Sequence, residues 1–196
     1  MASFNVPGLS PETADKVRSR LQERLTALID LSLTLKHVHW NVVGPTFIGV
    51  HQMLDPQVDA AREMSDDVAE RIAALGGEPQ GTPGFIATHR SWDDYSIGRD
   101  VTLAHLGALD LVYAGVITDH RAAIEEFDDL DLVSQDMLID QTEQLEQFQW
   151  FVRAHLEDSG GRLSNAGADS EEEAAAKSSR ATPTRSARST SKRASK

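Results

Sequence analysis

The feature that most constrains this chain is a run of metal-ligand side chains on both sides of a Gly44-Pro45 break in a helical pattern. Glycine loosens the backbone, and proline disfavours helical geometry at the residue before it. One helix is therefore predicted to end near residue 43 and a second to begin near residue 46. The side chains in question are His39, His51, Asp55, Asp66 and Glu70.

The second helix carries four of these side chains on one stripe. His51 and Asp55 are four residues apart, as are Asp66 and Glu70, so each pair shares a face of the helix. The step from Asp55 to Asp66 turns about 1100°, which returns to within about 20° of its start. These two carboxylates nevertheless lie roughly 16 Å apart along the axis. One straight helix cannot bring all four side chains to a single metal ion.

A second copy of the helix, antiparallel across a two-fold axis, removes this difficulty. Such an isologous contact is self-complementary, so each pairing occurs twice. One register places Asp55 opposite Asp66 of the partner subunit, and His51 opposite the partner's Glu70. A lone histidine on a helix is more often packed or solvent-facing than a ligand, but this shared register favours a metal site.

The same register also pairs opposite charges, and His39 completes the ligand set. It places Asp59 opposite Arg62 of the partner subunit, which is a charge-complementary pair beside the axis. With His39 from the preceding helix, each site has two imidazoles and three carboxylates. This mixture suits iron, manganese or zinc better than a soft thiophilic ion. The sequence therefore predicts a metal site shared between two subunits.

The chain contains the motifs His39-Trp40-Asn41, His39-x11-His51-x3-Asp55 and Asp66-x3-Glu70-Arg71. These motifs resemble the signature of the Dps family, the DNA-protecting miniferritins of starved bacteria, over roughly residues 10–160. The Glu-x-x-His motif of a di-iron site inside one bundle does not precede any histidine, which favours Dps over an ordinary ferritin.

The resemblance implies an all-α subunit, a ferritin-like four-helix bundle, assembled as a hollow homododecamer. It also implies two irons at each intersubunit site, with Fe(II) oxidised by hydrogen peroxide or oxygen. A tryptophan beside the iron in this family makes Trp40 a candidate redox residue, although a packed core residue is the commoner role. No organic cofactor is expected.

Helical periodicity and end signals predict the domain organisation. Residues 1–9 form an N-terminal extension, residues 10–162 the bundle, and residues 163–196 a disordered basic C-terminal tail. Pro56 predicts a kink, Gly107 and Gly115 predict close packing, and His105 and His120 are predicted to be structural or solvent-facing. The predicted helices span residues 10–43, 46–75, 97–127 and 134–158, with a short helix at residues 91–95 in the long crossover between helices 2 and 3.

Charge is distributed unevenly along the chain. Residues 1–176 carry 12 of the 19 Lys and Arg residues and all 31 Asp and Glu residues, whereas the end of the chain is purely basic. Such cations bind DNA phosphates without reading sequence, although an inert solubilising tail is the alternative. The candidate DNA-binding residues are Lys177, Arg180, Arg185, Arg188, Lys192, Arg193 and Lys196.

Acidic residues cluster at the junction of the last two bundle helices. A solvated turn is the simpler interpretation, but in Dps-like cages acids near this junction line pores at the three-fold axes. Clustered carboxylates would raise the local concentration of ferrous ion. The candidates are Asp128, Asp129, Asp131 and Asp136.

These features predict a cytoplasmic, nucleoid-associated protein without a membrane partner. The chain has no cysteine, the start lacks a signal-peptide pattern, and no stretch approaches the roughly 18 apolar residues of a membrane span. Two alternatives stay open: a mainly structural nucleoid protein with little ferroxidase activity, and a miniferritin without DNA binding.

Overall fold

The computed structural model describes residues 6–180, and within them almost all regular structure is helical. This confirms the prediction of an all-α fold. In chain order the elements are α1 (Pro11–Asn41), β1 (Val42–Val43), α2 (Phe47–Ala74), α3 (Pro83–His89), β2 (Asp100–Val101), α4 (Thr102–Phe127), α5 (Leu132–Leu156) and α6 (Glu171–Arg180).

Helices α1 and α2 form an antiparallel pair. Ser10 caps α1 because its hydroxyl oxygen accepts the Thr13 amide at 3.1 Å, and Pro11 follows at the first helical position. The turn between the helices requires Gly44, whose φ of 105° is unfavourable for residues with a Cβ. At the opposite end of the pair, near the start of α1 and the end of α2, the Arg18 side chain donates a hydrogen bond to the Leu75 carbonyl oxygen at 2.6 Å.

Helices α4 and α5 form the second pair, and α1 also contacts α4. The four long helices enclose one apolar core, because their buried leucines and valines recur at helical spacing. The short parallel ladder of β1 and β2 holds the end of α1 beside the start of α4. Helix α2 continues through Pro56. Among the described residues, no helix is long and apolar enough to cross a membrane.

The long crossover contains its short helix at α3, so the prediction of a helix at residues 91–95 is wrong in position. Pro83 supplies the first turn of α3. Residues 91–95 are held instead by side chains that reach across to α1. The Trp92 indole donates to Asp30 at 2.7 Å, and Arg90 bonds both Asp30 and Asp94.

The prediction of disorder from residue 163 onward is wrong for the described part of the tail. Helix α6 packs along α4 and buries Ala174, Ala175 and Ser178. An added Cβ on Gly107 would lie 2.5 Å from the Ser178 hydroxyl and 2.7 Å from the Ala174 carbonyl. This confirms the close packing predicted at Gly107. The segment folds without large apolar residues because the glycine lets small side chains reach the α4 backbone.

The second glycine prediction has the opposite outcome. An added Cβ on Gly115 would meet no atom within 4 Å, so no close contact depends on this glycine. The remaining tail, residues 181–196, lies outside the described residues.

Candidate metal centre

Two histidines from different helices form the centre of the site. The rings of His39 on α1 and His51 on α2 stack with centroids 3.6 Å apart. Each Nδ1 lies 2.9 Å from the backbone carbonyl oxygen of the other residue. A carbonyl oxygen can only accept, so both Nδ1 atoms carry the proton and both Nε2 lone pairs remain available. This is the second-coordination hydrogen bonding typical of metal-ligating histidines.

Asp55 lies beside this pair, one turn after His51. Its Oδ1 is 2.7 Å from the Lys36 ammonium and 3.2 Å from Nδ1 of His39. The hydrogen bond from Lys36 is the largest cause, and together with the charge of Lys36 it holds the pKa of Asp55 below its usual range. Asp55 therefore presents an ionised carboxylate, the form that binds a cation.

Lys36 is a site residue that the sequence analysis missed. It lies three residues before His39, and therefore on the same face of α1, which was the available signal. Phe47, at the start of α2, also contacts the site through an edge-on contact to the His51 ring at 6.2 Å.

Trp40 is 71% exposed in the subunit, so the interpretation of this residue as part of the subunit core is wrong. Its side chain leaves the core because α1 turns by about 100° per residue, and the preceding residue, His39, points inward and is buried.

Asp66 and Glu70 lie on the exposed part of α2, toward its C-terminal end. The His39 ring contacts both the His51 ring and the Asp55 carboxylate, but the three side chains do not surround a common point, and Asp66 and Glu70 do not join them. Within residues 6–180 of one chain, no group of three or more His, Asp or Glu side chains is arranged to hold a metal ion. Asp59 and Arg62 lie 3.9 Å apart on the same helix in this subunit.

The fold and the motifs agree with comparisons to known proteins. The Ferritin family, described as a ferritin-like domain, matches residues 18–159. A "DNA protection during starvation protein" from Mycolicibacterium smegmatis is 60% identical over 180 residues, which cover 92% of this chain and 98% of that protein. The chain belongs to the Dps family of ferritin-like proteins.

Solved Dps structures have the same fold. The structure of Mycobacterium smegmatis Dps is 61% identical, covers 86% of this chain and 97% of that one, and gives a TM-score of 0.85. A structure of Dps from Microbacterium arborescens "in the high iron form" is 31% identical and gives a TM-score of 0.71, covering 76% of this chain and 97% of that one.

The acidic junction of this Dps subunit contains two kinds of carboxylate. Asp128, Asp129 and Asp136 are exposed. Asp131 is instead bound by Arg71 at 2.6 Å and by the Ser134 hydroxyl at 2.5 Å. Burial alone would raise the pKa of Asp131, but these hydrogen bonds and the charge of Arg71 together lower it. Asp131 is thus a structural residue, and the pore prediction rests on the other three.

The basic residues at the end of the chain also differ in their surroundings. Lys177 donates to the Gly167 carbonyl at 2.7 Å and lies 2.8 Å from a Glu173 oxygen, so its charge stabilises the fold around α6. Its role as a DNA-binding residue is therefore not supported by its contacts. Arg180 is exposed at the end of α6. The other candidates, Arg185, Arg188, Lys192, Arg193 and Lys196, lie outside the described residues.

The remaining buried histidines belong to α4. His105 and His120 are both fully buried, as a structural role requires. Nδ1 of His120 donates to the Val116 carbonyl at 3.0 Å, and Nδ1 of His105 lies 3.0 Å from the Tyr95 hydroxyl. Burial, assisted by the charge of Arg24, lowers the pKa of His120 to about 4.

Proposed function

We propose that this chain is a ferroxidase-type oxidoreductase and iron-storing miniferritin. It oxidises Fe(II) with hydrogen peroxide or oxygen at sites shared between two subunits, and stores ferric iron inside a homododecameric cage. The observation that carries this proposal is the reciprocal hydrogen bonding of His39 and His51, which fixes two imidazoles with available lone pairs beside Asp55. Iron accepts such mixed imidazole and carboxylate ligands, and the high-iron form of a relative supports iron over manganese or zinc.

A partner subunit completes the site in this proposal. One chain supplies His39, His51 and Asp55, and the two-fold mate supplies Asp66 and Glu70. Support comes from the exposure of the two carboxylates and from the incomplete ligand set within the described part of one chain. The antiparallel register predicted from the sequence brings both halves together, twice per pair of subunits.

Two ferrous ions at one site give the oxidation a favourable stoichiometry. Each ion gives one electron to the same hydrogen peroxide, the O–O bond breaks, and two protons complete two waters. No hydroxyl radical is released in this two-electron reaction. The imidazoles must be neutral to bind metal, so oxidation slows in acid as protons compete for the Nε2 atoms.

Lys36 has a defined part in this cycle. Its ammonium forms an ion pair with the Asp55 carboxylate and orients that carboxylate beside His39. An arriving ferrous ion competes with that ammonium for the carboxylate. We expect Lys36 to withdraw toward solvent when metal binds, because its side chain is 25% exposed.

We also propose that the protein binds and protects DNA without sequence preference and is cytoplasmic and nucleoid-associated. The acidic body would be repelled by phosphate, so the affinity rests on residues 181–196, which carry five of the seven C-terminal cations. Several tails on one cage would act together and raise the affinity well above that of one tail. The name of the mycobacterial relative supports this role.

Stopped-flow measurement of ferrous oxidation, with peroxide and with oxygen, tests the proposal. We expect His51→Ala to slow oxidation at least about tenfold, because loss of even an outer-shell partner of a metal ligand commonly costs that much. His89→Ala is the matched control, since His89 is an exposed histidine on α3 and outside the site. A His51→Ala protein as fast as the control would overturn the site. No oxidation by wild-type cages would instead favour a purely structural nucleoid protein.

A further inference from the structure

A cleft of about 640 Å³ lies between α1, the crossover, α4 and the start of α6. Its floor is apolar, because it includes Leu31 and Val116, and the Trp92 indole lines one side. Within the described residues, neither α2 nor α5 contributes to it. The cleft therefore uses no residue of the proposed metal centre and lies off the helix that carries the proposed intersubunit carboxylates.

The cleft is strongly negative. Seven carboxylates line it, and among the described residues no Lys, Arg or His does. Asp30 and Asp94 share Arg90, and Asp119 is paired with Arg24. The four other carboxylates form no ion pair within the described part of the chain: Asp93, Asp169, Glu171 and Glu172.

This uncompensated charge affects Glu171, the first residue of α6. Burial is the largest cause that raises the pKa of Glu171 to about 7, and the charges of Glu172, Asp30 and Asp93 act in the same direction. The cleft thus suits a flexible polycation with apolar parts. Lys and Arg stems lie along apolar surface while their charged ends reach carboxylates, and a guanidinium is attracted to the face of an indole.

The chain itself carries such a polycation. Residues 181–196 contain five Lys and Arg residues and no Asp or Glu. Helix α6 runs antiparallel to α4, since Glu171 and Gly115 line the cleft together while Ser178 lies against Gly107. Residue 181 therefore starts roughly 14 Å from the cleft, at the other end of α6. A stretch of this length can extend up to about 50 Å, so it can return to the cleft.

We propose that the cleft binds residues 181–196 of the same chain, and that DNA must displace this segment from the cleft. Exposed ion pairs are individually weak, but attachment to α6 keeps the segment at a high effective concentration near the carboxylates. Cations held by the cleft are not available to phosphate, so the cleft lowers the affinity for DNA. This consequence rests on the proposed DNA binding, whereas the docking itself does not.

Contact between the segment and Trp92 can be measured in the full chain, because the protein has no cysteine. A bimane fluorophore attached at Thr190→Cys is quenched when it touches an indole. We expect quenching that is relieved in Trp92→Phe and in high salt, which screens the ion pairs. Trp150→Phe is the matched control, since Trp150 is exposed on α5 and does not line the cleft. Fluorescence no higher in Trp92→Phe than in the control would overturn the docking.

A second variant keeps the indole and changes only the charge of the cleft. Asp93→Asn combined with Glu172→Gln should lower the ratio of quenched to unquenched fluorophore roughly 2- to 30-fold, the range for loss of two exposed ion pairs. Glu125→Gln combined with Asp140→Asn is the control, because it removes the same charge at exposed positions outside the cleft. Equal ratios in the two proteins would show that the cleft does not hold the segment.

Mixed cages identify which cleft is occupied. Labelled chains are co-refolded with an excess of unlabelled Trp92→Phe chains, so that most neighbouring subunits lack the indole. We expect quenching to persist, because each segment docks on its own chain. Loss of quenching would place the segment in the cleft of another subunit and contradict the proposal.

Added DNA tests the competition and separates this inference from the proposed function. We expect DNA to raise the fluorescence, and the Asp93→Asn/Glu172→Gln cages to retard DNA at lower protein concentration than the control cages. Fluorescence unchanged by DNA that the cages bind would overturn the competition. Quenched cages that do not bind DNA would contradict the proposed DNA binding and keep the docking. Cages that bind DNA but are never quenched would contradict only this inference.

Discussion

Substitution of Gly107 by alanine tests the docking of α6, the part of the fold that the sequence analysis did not foresee. The new Cβ would lie 2.7 Å from the Ala174 carbonyl oxygen, which is backbone and cannot rotate away. Helix α6 must therefore move. Overpacking of this kind typically costs about 1–3 kcal/mol.

The substitution has a second, opposing effect that a control must remove. Alanine in place of glycine inside a helix favours α4 by about 1 kcal/mol. Gly115→Ala carries the same gain on the same helix, but its Cβ would meet no atom within 4 Å. The difference between the two variants isolates the contact with α6.

Hydrogen exchange of the α6 amides measures the effect directly, because exchange reports local opening. A loss of about 1–3 kcal/mol should speed exchange across α6 in Gly107→Ala by roughly 5- to 150-fold relative to Gly115→Ala. Exchange at equal rates in the two variants would show that α6 does not depend on Gly107 and would refute the packing argument.

Three further predictions follow from single contacts. The pKa of His120, about 4, lies below the ordinary value of 6.5, so the unfolded chain binds an extra proton between these pH values. The contribution of neutral His120 to the free energy of unfolding should be complete above pH 6.5, and roughly 3 kcal/mol of it should be lost as the pH drops to 4. In urea unfolding, the free energy of unfolding of His120→Gln should therefore depend less on pH than that of the wild type. Asp131→Asn, which weakens the bonds from Arg71 and Ser134, should cost about 1–3 kcal/mol in thermal unfolding, whereas Asp129→Asn at an exposed position should change little. A chain ending at Arg180 should keep α6 and ferrous oxidation but should no longer retard DNA in a gel. In the full chain, this retardation should weaken steeply with salt. Retardation by the shortened chain would instead place the DNA contacts within residues 1–180.

The helices that the sequence predicted well are those whose signals are local. The N-cap at Ser10 and the glycine at position 44 act within a few residues, and the periodic leucines of α1 directly form its buried stripe. The predicted bounds of the four long helices accordingly match within about five residues. The short helix was misplaced because residues 91–95 are held by Asp30, which is distant in sequence.

The failure at α6 has a different physical origin. Composition was used to ask whether the segment contains enough large apolar groups to fold. Ala174 and Ser178 are buried only because Gly107, about seventy residues earlier, brings the two backbones together. No local pattern within residues 163–180 reports that contact.

For the candidate site, spacing alone placed His39 and His51 near each other, and the structure adds how they are oriented. The reciprocal bonds to backbone carbonyls and the ammonium of Lys36 on Asp55 depend on the crossing of α1 and α2. Such details follow from tertiary geometry, which periodicity does not specify.

A subunit-mixing experiment tests the shared site most directly. Asp55→Ala and Glu70→Ala damage opposite halves of it, and each variant must first be shown to assemble and to be nearly inactive alone. In a mixed two-fold pair, one site collects both defects, while the other combines Asp55 of one chain with the partner's Glu70 and is intact. Random mixing makes about half of the pairs mixed, so about a quarter of the sites should recover ferrous oxidation. Co-refolded cages no more active than the average of the two parents would contradict the intersubunit site.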